Sequence, residues 1–208
     1  MSKSLTANDR KNLIKLASSL PKGDKSRRAI IAGLASTSKR AGEINVPGKN
    51  ILGNAEVSDR AQVSDRAQVS GDAQVSGKAK VYDNAQVSGN AEVYGKASVY
   101  GQAKVYDNAQ VYGTTRVKDS GKVYGQAKVY DNAQVQECGK VSGKARVYGK
   151  ARVSGDAVVS GNATVSGNAK VVYKAEVYGN AAVSGNAVVD GAAKVYGNAQ
   201  VSGDAQVF

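Results

Sequence analysis

The stretch VYGQAKVYDNAQV stands at residues 99–111 and again, unaltered, at 123–135. Both copies are written in a six-residue unit that runs far beyond them. From Val57 to Val207 a Val occupies every sixth position, 26 in succession without insertion or deletion, and Ile51 extends the series one step back. Two residues before each Val stands Ala, or another small residue at Thr115, Gly121 and Gly139. Two residues after it comes Gly or Asp, with Glu137 and Tyr173 as exceptions. The unit reads A-x-V-x-G-N.

In A-x-V-x the apolar positions alternate with polar ones, the period of a strand with one buried face. The Gly-Asn or Asp-Asn pair then supplies a residue that tolerates positive φ and one whose short amide can bond the local backbone. Each hexad therefore predicts one short strand and one corner. Strands this short, each followed by a corner, cannot pair as hairpins. The chain must coil, stacking each strand on the equivalent strand of the next turn. Composition agrees: with no Trp, one Phe and one Met, a core of large side chains is excluded. The predicted fold class is an all-β solenoid.

An aliphatic residue followed four positions later by a small one, as in Val93 and Ala97, resembles the left-handed parallel β-helix of hexapeptide-repeat proteins. The likeness covers residues 54–208 and implies three hexads per triangular turn, with Val and Ala inward. That makes about 8.6 coils and, at roughly 4.8 Å per coil, a rod about 40 Å long. Relatives of this kind associate side by side as trimers, so the likeness implies a homo-oligomer.

The N-terminal part is written differently. Of the formal charge of +12, residues 1–49 supply 11 Lys or Arg against Asp9, Asp24 and Glu43. Thr6 and Asp9 suit a helix start, and Leu13, Leu16, Ala17 and Leu20 follow at helical spacing before Pro21. A second helix is expected from Asp24 to about Ala35. The expected organisation is a basic helical hairpin at 1–35, a linker at 36–50 and the solenoid at 51–208. The hairpin reads either as a cap over the first strand edge or as a docking module. In the second case Lys22, Lys25, Arg27, Arg28, Lys39 and Arg40 attract an acidic partner. The segment LIKLASSLPKGDKSRRAIIAGL at 13–34 also resembles short helical leaders of phage-encoded proteins.

Enzymatic readings find little support. Hexapeptide acyltransferases use a His base and the related zinc carbonic anhydrases three His ligands, whereas this chain has no His. The Val register never breaks, so no inserted loop builds a pocket. Cys138 falls at a corner with only Lys140 as a neighbouring activator, and reads as a tolerated replacement for corner Asn. No spacing suggests a calcium or phosphate loop, and outward Thr is too rare for ice binding. No catalytic residue, metal or cofactor is expected.

Residues 18 apart should stack into columns on the outside. Tyr94, Tyr112, Tyr130 and Tyr148 form the longest, with shorter pairs Tyr82/Tyr100, Tyr106/Tyr124 and Tyr178/Tyr196. Lys104, Lys122 and Lys140 form another, and Asn162, Asn180 and Asn198 an amide ladder. The Tyr columns read either as stabilisers of in-register strands or as a surface for a protomer, sugar chain or nucleic acid. The Lys column repels itself unless its ends fan into water or meet an anion.

The duplication at 99 and 123 shifts by 24, four hexads and not a whole number of turns. It keeps every inward residue inward and moves each outward residue to another face. The expectation is a non-enzymatic structural or assembly protein, within a phage particle or another phage-encoded assembly, made in the reducing cytoplasm and without a membrane segment. The alternatives are a nucleic-acid or polyanion binder using the basic arm and Lys/Tyr columns, and a hexapeptide transferase whose base comes from a partner.

Overall fold

In the computed structural model, residues 50–208 are described, and they form a parallel β-solenoid of about eight turns. Its unit follows from the hexad. The residue before each Val and the Val itself make a two-residue strand, starting with β1 (Glu56–Val57), β2 (Gln62–Val63) and β3 (Gln68–Val69). Every third strand then joins the same sheet, giving sheets of nine, nine and eight parallel strands. We call the sheet begun by β1 facet I, that begun by β2 facet II and that begun by β3 facet III. The corners between them are edges I/II, II/III and III/I.

Register is uniform: residue i pairs with i + 18 throughout, as in Lys128 with Arg146 and Val129 with Val147. In nearly every hexad that has a turn beyond it, three amides donate to that next turn. Gln110 N–H reaches Ala127 O at 2.9 Å, Tyr112 N–H reaches Val129 O at 3.0 Å, and Thr114 N–H reaches Asp131 O at 2.6 Å. Ile51 bridges Val69, so the series does extend back one step.

Inside, the Val and Ala of successive turns are almost wholly buried from Ala61 to Val195. Each Val contributes about 1.5–3 kcal/mol of burial before chain ordering is subtracted. No single turn can enclose its own core, so stability is shared between neighbouring turns. Thr115, in an Ala position, is also buried and donates its hydroxyl to Tyr112 O at 2.6 Å. At Gly121 and Gly139 an added Cβ would approach the carbonyl oxygens of Val135 and Val153 at 2.9 and 2.8 Å. The corner bonds there are short, 3.0 Å from each Gly N–H to Lys118 O or Gln136 O.

The corner bears out the expected positive φ and adds a second reason for Asp. The residue two after each Val has positive φ, and most are Gly. At Gly113 an added Cβ would lie 2.8 Å from the backbone N and O of Asp131, one turn on. Yet Asp and Glu occupy seven such corners, at φ 55–61 against 62–76 for the glycines. The carboxylate explains this. It accepts the next turn's otherwise unpaired N–H, as in Gly101 to Asp83 at 3.0 Å, Gly125 to Asp107 at 3.0 Å and Gly155 to Glu137 at 2.7 Å. Tyr173, at φ 55, carries the same strain without that bond.

The Asn amides differ from expectation. They bond along the rod to the equivalent side chain one turn away, with no bond to local backbone. Asn162 donates to Asn180 at 3.0 Å and Asn180 to Asn198 at 3.1 Å, the ladder expected from the columns.

The expected helical hairpin, and all of the linker except Asn50, lie outside the described residues. The six-residue unit itself is testable at Asp107. Replacing it with Ala keeps the positive φ and deletes the acceptor, whereas Gly deletes the acceptor and relieves the strain. We expect Asp107→Ala to destabilise by about 1–2 kcal/mol and Asp107→Gly by distinctly less, read from urea unfolding.

Candidate functional site

Two shallow open grooves run along the edges of the rod. One, about 390 Å³, lies on edge II/III beside Asp65, Arg66, Asp83 and Gly101. The other, about 590 Å³, lies on edge I/II. Its floor is Gly95, Gly113, Asp131 and Gly149, and its row of outward side chains is Lys96, Thr114, Asn132 and Lys150. Thr114 donates to Asn132 Oδ1 and to Asp131 O. Cys138 is exposed, at its corner as expected. Among the described residues no three His, Cys, Asp or Glu side chains converge on a metal position, and no helix is long and apolar enough to cross a membrane.

The Tyr columns form as expected. In Tyr94–Tyr112–Tyr130–Tyr148 successive ring centroids are 4.8–5.0 Å apart and the planes tilt by 2–5°. Tyr82 on Tyr100, Tyr106 on Tyr124 and Tyr178 on Tyr196 stack likewise, at 4.8–5.4 Å. The arrangement limits what the rings can do. Interior rungs spend both faces on each other, and solvent meets their edges and hydroxyls. Only the outer faces at ladder ends, beside small residues such as Ser76 and Ser166, are left for a flat ligand.

Burial is the main reason the phenols of Tyr82, Tyr94, Tyr106, Tyr112 and Tyr130 are held above the usual phenol range. A neighbouring phenol adds to this for all but Tyr94, where Glu92 does so instead; Arg146 opposes it at Tyr130.

Lys104, Lys122 and Lys140 stand in direct register on facet III, as the column required. No acid pairs with them: the ion pairs among described residues are Lys118–Asp119 at 3.3 Å and Lys194–Glu176 at 3.5 Å. Lys22, Lys25, Arg27, Arg28, Lys39 and Arg40 lie outside the described residues.

Two charge features were missed by reading columns singly. Facet II presents Lys80, Arg116, Arg152 and Lys170 outward and no acid, while edge II/III gathers Asp65, Asp83, Asp119, Glu137, Asp156 and Asp190. The turn at 138–155 holds Lys140, Lys144, Arg146, Lys150 and Arg152 with no acid at all. Summing charge by turn and by facet, instead of along one column, would have found both.

A family model described as "YdcK Beta solenoid repeat" matches residues 61–77, 85–101 and 145–161. The matches begin at Ala61, Ala85 and Ala145, each ahead of a strand on a different facet. What the chain shares with that repeat is therefore the inward hexad pattern, and no single outer face. A search of curated proteins finds no match.

The ladders predict a pH dependence. Because folding raises these phenols, it favours their protonated form. The associated stability is complete below the unfolded phenol value and is lost as pH rises through the higher folded values. Melting temperature should fall as pH climbs beyond about 10. A variant with Tyr94, Tyr112 and Tyr130 all changed to Phe should fall less over the same range. Phenolate absorbance rising at the ordinary pH in the folded protein would contradict the shift.

Proposed function

We propose that this chain is a non-enzymatic structural or assembly component. It is a rigid solenoid rod, left-handed and of hexapeptide-repeat type, docked through its basic N-terminal segment. The observation that carries this reading is the uninterrupted register: every turn from β1 onward has Val at the same inward positions and the same pairing. A rod of this kind resists bending and holds two attachment points at a fixed distance. The absence of His anywhere in the chain removes the base that hexapeptide transferases use. The sequence at 13–34, with its likeness to phage-encoded leaders, favours a phage particle or another phage-encoded assembly as the setting. The hexapeptide likeness favours a side-by-side trimer.

A second reading, binding of an anionic polymer, is favoured by the acid-free facet II and the acid-free turn at 138–155.

The scaffold reading is tested by deleting residues 1–45. The truncated rod should keep its β circular-dichroism spectrum and fail to co-purify with the particle or assembly that carries the full chain. Light scattering of the full chain at micromolar concentration should give a multiple of the 21.4 kDa protomer. A monomer that still co-purifies without residues 1–45 overturns the reading.

A further inference from the structure

Resting on the second reading above, we infer that edge I/II and its flanks form a binding surface for a linear acidic polysaccharide lying along the rod axis. Lys128 and Arg146 project from adjacent rungs of facet I, in direct register. Arg116 and Arg152 project from facet II on either side of Gln134, two rungs or about 10 Å apart. Lys150 stands on the edge between them. Two acids lie along this surface, and each is already engaged: Gly149 N–H donates to the Asp131 carboxylate at 3.2 Å, and Gln110 Nε2 donates to Glu92, on facet I beside Lys96, at 3.2 Å.

The chain itself indicates what the groove accepts. At seven corners a carboxylate oxygen of the chain accepts the corner N–H of the next turn. Along the groove the equivalent N–H groups of Gly95, Gly113 and Asp131 follow a glycine one turn below. They have no acceptor among the described residues. A carboxylate or sulfate from outside finds there the donor that Asp meets elsewhere, with Lys96 and Lys150 at the groove's ends.

Between those cations stand Thr114 and Asn132, neutral groups suited to hydroxyls. The row thus sets two hydroxyl-recognising groups between two cations, which suits a polymer that carries both hydroxyls and anionic groups, as an acidic polysaccharide does. A single-stranded nucleic acid would instead require open aromatic faces for its bases, and the interior Tyr rungs have none free.

The test uses the full-length protein with polygalacturonate and heparin as probes, dextran as the neutral comparison and an oligo(dT) strand as the nucleic-acid comparison. Both acidic polysaccharides should bind, more tightly than oligo(dT), with affinity falling steeply as salt rises. A variant carrying Arg146→Gln, Lys150→Gln and Arg152→Gln should lose affinity by roughly tenfold or more. A variant with the same charge change on edge II/III, Arg66→Gln, Lys118→Gln and Lys174→Gln, should lose much less. Circular-dichroism melts establish that both variants stay folded.

Equal losses in the two variants would overturn the site. Tighter binding of oligo(dT) than of either polysaccharide would overturn the inference and leave the second reading standing. Binding of none of the three anionic polymers at low salt would overturn both.

Discussion

Every sixth residue of the rod must turn the chain at positive φ, directly beneath the backbone of the following turn. With Cβ positions lying 2.7–3.0 Å from that backbone at the tightest glycines, little other than Gly is accommodated without compensation. Asp and Glu enter because their carboxylates bind the N–H group just above. This steric rule fixes each side of the prism at six residues and each turn at 18. The inward Val positions, the ladder hydrogen bonds and the outer columns all inherit that length.

Uniform register makes the outer surface unusually dependent on its neighbours. A side chain that repeats one turn later must stack on its copy, whether this is favourable, as for Tyr and Asn, or repulsive, as for Lys104, Lys122 and Lys140. Charge is not averaged around such a rod. Facet II is free of acids while the edge beside it is rich in them, so adjoining strips along one molecule differ in the sign of their charge.

The inward half of the structure was legible in the sequence because period two within a strand and period six between corners are both local signals. The outward columns followed once 18 residues were assigned to a turn, and the Tyr and Asn ladders needed nothing more. The corner carboxylates were harder, since tolerance of positive φ is by itself a sufficient reason for Asp at a corner. The clue was that Asn, which tolerates that conformation as well, never occupies the position two after Val. The cationic edge escaped because its members, Lys128, Arg146, Lys150, Arg116 and Arg152, belong to three different columns that meet only when the chain is folded into a prism.

The three-sided turn also gears length to rotation. Adding 18 residues lengthens the rod by one rung and leaves everything beyond it facing as before. Adding a single hexad preserves the core equally well but swings all later facets by a third of a revolution. A duplication of four hexads, such as that relating residues 99–111 to 123–135, does both at once. Growth by hexads is therefore a way of re-aiming one end of the rod against the other while its interior stays unchanged.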